Sequence, residues 1–265
     1  MASKRLETIS QDDLPVLHHY PVPGCEATGL RGATYAHHGD YSLWLCRAEL
    51  GPDAELMIDN DHGDYGIYVE SGDLEVGGQV CPTGGAIIIE SCVPARITSP
   101  SGAVIYHNGP LDPKPPVDPI LGQARIAGHC IHVVGPKGWF RSGDKEKVEA
   151  IWFADSTCPT CRIAFFTVAR QESHDRVGRP HSHSADELIH ILAGGLRLGS
   201  QEYGAGTSLV IPADVHYAVS GEYGLKFLNY RSTTSLQTWY DGDRLTESET
   251  GLTRGGECVH DVVNV

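Results

Sequence analysis

Three histidines and one glutamate in the second half of the chain have the residue types and spacing of a metal site. His181 and His183 are separated by one residue, so both side chains lie on the same face of a strand. Glu187 follows four residues later, and His216 lies in a later segment. Imidazoles and a carboxylate together suit a divalent first-row transition metal. Four protein ligands on an octahedral ion leave room for a substrate or small oxidant, whereas a purely structural site is usually closed.

The spacing of the first three ligands resembles that of the cupin family. The segment from His181 to Gly194 reads His-x-His-x3-Glu-x6-Gly and matches the metal-binding part of the first cupin motif. The resemblance implies an all-β fold made of cupin-type β-barrels (the double-stranded β-helix, or jelly roll). It also implies one divalent transition metal, Fe, Mn, Ni, Co or Zn, held by the two histidines, Glu187 and His216.

The second cupin motif, G-x5-P-x-G-x2-H-x3-N, is matched less completely. Gly206 and Pro212 are in place, but Asp214 stands where the family has glycine. His216 comes one residue early, and no asparagine follows it at the family spacing. We therefore expect His216 to be the fourth ligand if the shortened motif still delivers it, with Asp214 or water as the alternatives.

An internal repeat supports the same interpretation. Sliding the chain against itself by 122 residues needs no gap from about Leu43/Phe165 to His107/Asn229, and turn glycines coincide. This predicts a bicupin, with two barrels in tandem: an N-terminal domain at 1–115 and a C-terminal domain at 116–265. The proline-rich segment 108–119 reads as a stiff linker.

The first copy lacks the metal-binding residue types. The residues opposite His181, His183, Glu187 and His216 are Asp59, Asp61, Tyr65 and Pro94. A tyrosine and a proline cannot replace a carboxylate and an imidazole, so we expect about one metal per chain, in the C-terminal barrel only. The acidic segment 59–64 suggests either a Ca²⁺ loop or a solvated turn, and the turn fits better because a calcium-loop glutamate is missing. The first barrel then serves as a scaffold or an oligomerisation surface.

Strand alternation predicts which side chains line the pocket. If Glu187 points inward, Ile189 and Ile191 do so too, and Leu188, His190 and Leu192 face outward. The apolar outer face needs a cover, either the other barrel or a second subunit in a homodimer. His190 is therefore expected at an interface or on the surface and not as a ligand. The expected apolar pocket lining is Ile189, Ile191, Ile211, Phe165 and Phe227.

Three functions remain open for such a site. An open metal in an apolar pocket favours a dioxygenase-type oxidoreductase that uses O₂ and a small organic substrate. A metal-assisted lyase or isomerase is the alternative, and it needs a general base, for which Tyr217, Asp214 and Tyr203 are candidates. A non-catalytic small-molecule-binding protein is the third. Glu187 and Tyr217 are the predicted catalytic residues.

Composition restricts the partners. The formal net charge of −14 and the absence of a basic stripe argue against nucleic acid and anionic membranes. No apolar run reaches the length of a membrane span, and the N-terminus has no hydrophobic signal region, so we expect a cytoplasmic protein with reduced cysteines. Cys158-x-x-Cys161 reads as a turn. Cys130 and His132 could share a strand face and bind a soft metal, although a buried cysteine beside a hydrogen-bonded histidine is commoner.

Overall fold

The computed structural model describes twelve stretches of the chain. They are residues 5–37, 39, 41–111, 130–144, 148–154, 163–170, 180–221, 224–232, 237–240, 243–246, 257–258 and 262–265. At 142–144, 237–240, 243–246 and 257–258 only the backbone is described.

Almost every described element is a β-strand, which confirms the predicted all-β class. In the first half the strands are β1 (Glu7–Ser10), β2 (Cys25–His37), β3 (Leu43–Ile58), β4 (Tyr65–Val76), β5 (Gln79–Pro82), β6 (Ala86–Ile89), β7 (Ala95–Ser99) and β8 (Ala103–Pro110). In the second half they are β9 (Ile131–Val134), β10 (Phe140–Asp144), β11 (Val148–Ala154), β12 (Ile163–Arg170), β13 (His181–His183), β14 (Glu187–Ala193), β15 (Gly195–Leu198), β16 (Gln201–Gly204), β17 (Thr207–Ile211), β18 (Val219–Gly221), β19 (Lys226–Ser232), β20 (Gln237–Tyr240), β21 (Asp243–Thr246), β22 (Glu257–Cys258) and β23 (Val262–Asn264). Within the described residues the one helical segment is a 3₁₀ turn at Gln11–Asp13.

The predicted internal repeat is present in the strand register. In the N-terminal repeat (residues 43–110) Tyr65 of β4 pairs with Ile89 of β6, and in the C-terminal repeat (165–232) Glu187 pairs with Ile211 at the same offset of 122. Both repeats also carry a register shift at equivalent positions, after Val69 in one and after Ile191 in the other. The turn glycines of both repeats have positive φ, which a residue without Cβ adopts at little cost: Gly72, Gly77, Gly84 and Gly102, and their counterparts Gly194, Gly199, Gly206 and Gly224.

Short strands are exchanged between the two halves of the molecule. The N-terminal strand β1 pairs with β17 of the C-terminal repeat, in an eight-stranded sheet ordered β1-β17-β14-β19-β12-β11-β10-β22. Reciprocally, β9 pairs with β6, and β23 pairs with β9, in the nine-stranded sheet of the N-terminal repeat. The domain boundary between residues 115 and 116 therefore stays a prediction, and two strand pairings cross it, β1 with β17 and β6 with β9.

The outward face of β14 is covered by the other repeat, one of the two predicted covers. Leu188 packs in an apolar cluster with Ile88 and Tyr68 of the N-terminal repeat. His190 is fully buried there, bonded to Ser208 Oγ through Nδ1 at 2.9 Å. Its ring lies 4.6 Å from that of Tyr106, so the prediction that it is an interface residue is confirmed.

One predicted pocket residue lies elsewhere. Ile189, Ile191, Ile211 and Phe227 pack together in the core of the C-terminal repeat, as expected. Phe165, however, belongs to the cluster between the repeats. Its side chain points away from the pocket, so the prediction that it lines the pocket is wrong.

Truncating Phe165 is expected to cost about 3–5 kcal/mol of unfolding free energy, as for other buried Phe→Ala changes. The ring is fully buried, lies 6.0 Å from the ring of Tyr230, and packs against the Cα of Gly66. Urea unfolding of Phe165→Ala measures the loss. Val16→Ala, at a 62% exposed position, is the control and should stay within about 0.5 kcal/mol of wild type. A loss below about 1 kcal/mol for Phe165→Ala would mean that the two repeats do not depend on this contact.

The described residues bear on the predicted absence of membrane spans and on the predicted reduced state of the cysteines. None of the helical structure in these ranges is long and apolar enough to cross a membrane. Cytoplasmic location stays a prediction. Cys25, Cys46 and Cys92 are free thiols. The Cys158-x-x-Cys161 pair lies outside the described residues.

Candidate active site in the C-terminal repeat

Strand pairing brings the two halves of the motif together. His181 and His183 are the ends of β13, and Glu187 begins β14 in the middle of the eight-stranded sheet. Tyr217 forms an isolated bridge with His181, with both N–O distances at 2.9 Å. The amide of Asp214 also donates to the carbonyl of His183 at 2.7 Å, which fixes the loop that carries Tyr217.

Glu187 is the centre of a buried hydrogen-bond network. Its side chain is 2% exposed, and Oε1 accepts from Arg231 Nε at 3.1 Å and from Asn229 Nδ2. Oε2 accepts from the hydroxyl of Tyr217. Both carboxylate oxygens are thus bonded to donors, and a guanidinium compensates the negative charge.

His183 links the same groups into a proton path. Arg231 Nη1 lies 3.2 Å from its Nδ1, and because a guanidinium only donates, Nδ1 must accept. A neutral imidazole then carries its proton on Nε2, which lies 3.1 Å from the hydroxyl of Tyr217. The hydroxyl can accept from His183 while it donates to Glu187, so the three groups form a relay.

The network keeps Glu187 ionised. Burial alone raises the pKa of this carboxyl, but the charge of Arg231, the neighbouring His183 and the hydrogen bonds from Tyr217 and Asn229 outweigh it and lower the pKa to about 2. At neutral pH Glu187 and Arg231 form a buried ion pair, in which Arg231 is 3% exposed.

The structure does not bring every predicted residue into the site. His181 is partly buried, with its ring 5.0 Å from that of His183 and 4.5 Å from that of Tyr217. His216 is exposed and does not join this cluster. Tyr217 lies there instead, three residues after Asp214, which is the spacing at which the second cupin motif has its histidine. Asp214 is exposed as well.

Two residues of the site were missed by the motif comparison. Asn229 and Arg231 lie on β19, where alternation places them on the same face as Phe227. An asparagine and an arginine that alternate with apolar residues inside a strand are the signal that could have found them, since buried charges occur mostly where they are paired.

The donor types fit a divalent cation, although their hydrogen bonds must change to hold it. Two imidazoles, a carboxylate and a phenol are suitable ligands. In the present arrangement Arg231, Asn229 and Tyr217 donate to atoms that a cation would take. A close group of three metal-donor side chains lies in a different place within the described ranges. Its members are Glu90, Cys130 and His132, whose ligand atoms all lie within 4.8 Å of one another.

Aromatic packing replaces this network in the N-terminal repeat. Tyr65, the counterpart of Glu187, stacks on His62 at 4.6 Å and meets His107 edge-on at 4.6 Å. Asp59 and Asp61 are exposed, and the amide of Asp61 donates to Asp59 Oδ1 at 2.9 Å, as in a solvated turn.

Comparison with known proteins identifies the fold. No protein-family model and no curated protein matches the sequence. Solved structures of Bacillus subtilis oxalate decarboxylase, a bicupin, do match. The chain has a cupin-type fold. A structure from work on the Mn(II) centres of that enzyme is 14% identical with a TM-score of 0.64. Another, from work on the substrate binding mode and reaction specificity of oxalate decarboxylase, is 13% identical with a TM-score of 0.63. Each match covers 88% of this chain and 79% of that one.

The comparison with this cupin bears on the ranking of functions. Identities this low establish the fold and leave the activity open. They do not support the dioxygenase-type oxidoreductase that the sequence favoured, because a decarboxylase is a lyase. O₂ as a partner and a homodimer stay predictions.

Proposed function

We propose that the protein is a metal-dependent cupin enzyme of the lyase type, with two barrels in tandem, acting on a small carboxylate substrate in the C-terminal repeat. The observation that carries the proposal is the buried network of Glu187, Tyr217, His183 and Arg231. It combines a permanent cation with a proton relay. The similarity of fold to oxalate decarboxylase, whose name states a lyase reaction on a dicarboxylate, supports the same class.

Arg231 supports a carboxylate as the substrate. Its planar guanidinium can pair with a carboxylate through two parallel hydrogen bonds and cannot lose its charge in a buried site. The side chain is 3% exposed and its Cζ lies 5.3 Å from the ring centre of Phe166, so bulk water is excluded and screens the attraction less. The apolar side chains of Ile189 and Ile211 nearby favour a compact substrate.

The metal is proposed to be held by His181, His183 and Glu187, with water in the fourth place, so that Tyr217 keeps its hydroxyl proton. When bound, it supplies a Lewis acid that polarises a substrate oxygen. If an ion took the acceptor atoms of Glu187 and His183, Arg231 would lose these hydrogen bonds and its guanidinium could pair with the substrate.

Tyr217 is proposed as the general acid. When a carbon–carbon bond to the substrate carboxylate breaks, CO₂ leaves and the electron pair stays on the remaining carbon. The phenolic hydroxyl gives that carbon its proton. Water then returns a proton to the phenolate. Until it does, the N–H at His183 Nε2, 3.1 Å from the hydroxyl oxygen, stabilises the phenolate by donating a hydrogen bond.

A metal-free version of this chemistry is the second candidate, and one observation favours it. Arg231 already contacts both Glu187 and His183, so it can provide the cationic centre by itself. This version predicts that activity survives exhaustive chelation, whereas the metal-dependent version predicts its loss and its recovery on adding Mn²⁺.

Tyr217→Phe is expected to lower kcat by about 10²–10⁴-fold, because general acid catalysis contributes that much. The assay is CO₂ release from oxalate and other small carboxylates, with and without O₂, on protein of measured metal content. Tyr35→Phe, in the N-terminal repeat, is the matched control and should retain wild-type turnover. Undiminished turnover of Tyr217→Phe would remove Tyr217 from the mechanism. Turnover that stops without O₂ and consumes it stoichiometrically would instead establish the dioxygenase.

A further inference from the structure

We propose a second metal site, built from Glu90, Cys130 and His132 on the N-terminal sheet. The carboxylate, thiol and imidazole ligand atoms lie within 4.8 Å of one another. Glu90 directly follows β6 and Cys130 directly precedes β9, and these two strands pair. His132 pairs with Ile88, whose side chain lies in the cluster between the repeats, so the site is on the face opposite the core of the N-terminal repeat.

The backbone holds Glu90 and Cys130 in register with each other. The amide of Glu90 donates to the carbonyl of Cys130 at 3.3 Å. The amide of Cys130 in turn donates to Glu90 Oε2 at 3.0 Å, so one carboxylate oxygen is anchored. The other oxygen, Oε1, lies 2.7 Å from His132 Nε2.

His132 is oriented as metal-binding histidines are. Its Nδ1 lies 2.7 Å from the side-chain oxygen of Asn264 in β23, and an amide oxygen accepts only from a protonated Nδ1. A hydrogen bond from Nδ1 to an oxygen fixes the ring so that Nε2 presents its lone pair to an ion. Nε2 and the wholly buried carboxylate of Glu90 therefore need a shared positive charge between them, either a proton or a cation.

The thiol of Cys130 completes a borderline-soft donor set. Sγ lies 3.7 Å from His132 Nε2. Around a tetrahedral ion, with bonds of roughly 2.3 Å to sulfur and 2.1 Å to nitrogen, that separation is roughly 3.6 Å. The Nε2–Oε1 distance has to widen by roughly 0.6 Å, which follows when the ion replaces the proton between them.

Charge balance favours a divalent ion at this site. A thiolate, a carboxylate and a neutral imidazole on M²⁺ give a neutral centre, so the buried carboxylate stays compensated. Sulfur selects Zn²⁺ or Co²⁺ over harder ions such as Mn²⁺. The three ligands found among the described residues leave a fourth position that water can take, and the His132 side chain, 15% exposed, gives an ion a way in. Through Asn264 the ion would also stabilise the pairing of β23 with β9.

Titration of the metal-free, full-length protein with Co²⁺ tests the proposal. We expect a near-ultraviolet thiolate-to-cobalt charge-transfer band that saturates by two equivalents in wild type and at one equivalent in His181→Ala, where only the thiolate site remains. Cys130→Ser and His132→Ala should each abolish this band, and Glu90→Gln should weaken Co²⁺ binding at least tenfold. The matched controls are Cys92→Ser, at a partly exposed thiol of the same repeat, and the double variant Cys158→Ser/Cys161→Ser. Both should keep the band.

The outcome is separable from that of the C-terminal site. His181→Ala should lose metal at the C-terminal site and keep the cobalt–thiolate band, because no cysteine is among the donors proposed there. If Cys130→Ser or His132→Ala alters the circular dichroism spectrum, the other variant decides. A band that survives both variants, or a wild-type protein that binds no Co²⁺ through sulfur, would overturn the proposal and leave a hydrogen-bonded Glu90–His132 pair only.

Discussion

Replacing Glu187 with leucine is expected to destabilise the protein by about 3–5 kcal/mol and to abolish turnover, as happens when one partner of a buried ion pair is removed. The substitution leaves the guanidinium of Arg231 buried without its counter-charge. It also removes the acceptor of the bonds from Tyr217 and Asn229. The free energy of unfolding in urea measures the loss, and the activity assay measures turnover.

The double variant Glu187→Leu/Arg231→Met is the control for this prediction. Replacing a whole buried pair by apolar side chains of similar size is often close to neutral. We therefore expect the double variant to regain most of the stability lost by Glu187→Leu, while remaining inactive. The double-mutant cycle then gives a coupling energy of about 3 kcal/mol or more. If the single variants are additive, the ion pair does not hold the site together.

Stability is expected to fall steeply as the pH drops below about 6.5, because two histidines are buried in their neutral form. Burial, and then the nearby His62, lower the pKa of His107 to about 3. Burial, and then the charge of Arg47, lower the pKa of His190 to about 3. Neither Nε2 has a hydrogen-bond partner among the described residues.

The sign of this effect follows from proton binding. Between about pH 6.5 and 3 the unfolded chain, with a histidine pKa of about 6.5, takes up protons that the folded chain does not. Both histidines therefore contribute stability fully above about pH 6.5, and this stability is lost as the pH falls toward about 3. Each histidine lowers the free energy of unfolding by about 1.4 kcal/mol per pH unit. That of wild type should therefore fall by about 4 kcal/mol between about pH 7 and pH 5.

Urea unfolding at about pH 7 and pH 5 measures the effect. His107→Asn, which copies the counterpart Asn229, should halve the acid-dependent loss. His216→Asn, at an exposed position, should leave it unchanged. Equal pH dependence in wild type and His107→Asn would show that His107 is protonated in the folded protein.

Features that depend on local periodicity were predictable from the sequence. The pairing of Tyr65 with Ile89 and of Glu187 with Ile211 follows from a repeat of 122 residues with turn glycines in place. The inward face of β14 and the interface position of His190 follow from alternation along one strand. These properties need no knowledge of distant residues.

The choice between His216 and Tyr217 could not be made this way. A shift of one residue reverses the face of a strand, and the loop between Pro212 and the bridge at Tyr217 decides that shift. The motif comparison showed that His216 comes one residue early, but it did not show that the side chain of Tyr217 faces the site.

By itself, the sequence determined an all-β repeat and the positions of His181, His183 and Glu187, since each depends on spacing within one strand or turn. Only the tertiary structure placed Arg231 against Glu187, and Glu90 against Cys130 and His132. These residues lie on different strands, and pairing between strands far apart in the chain brings them together. Distance along the chain does not encode such contacts, because they depend on the order and register of strands in the finished sheets.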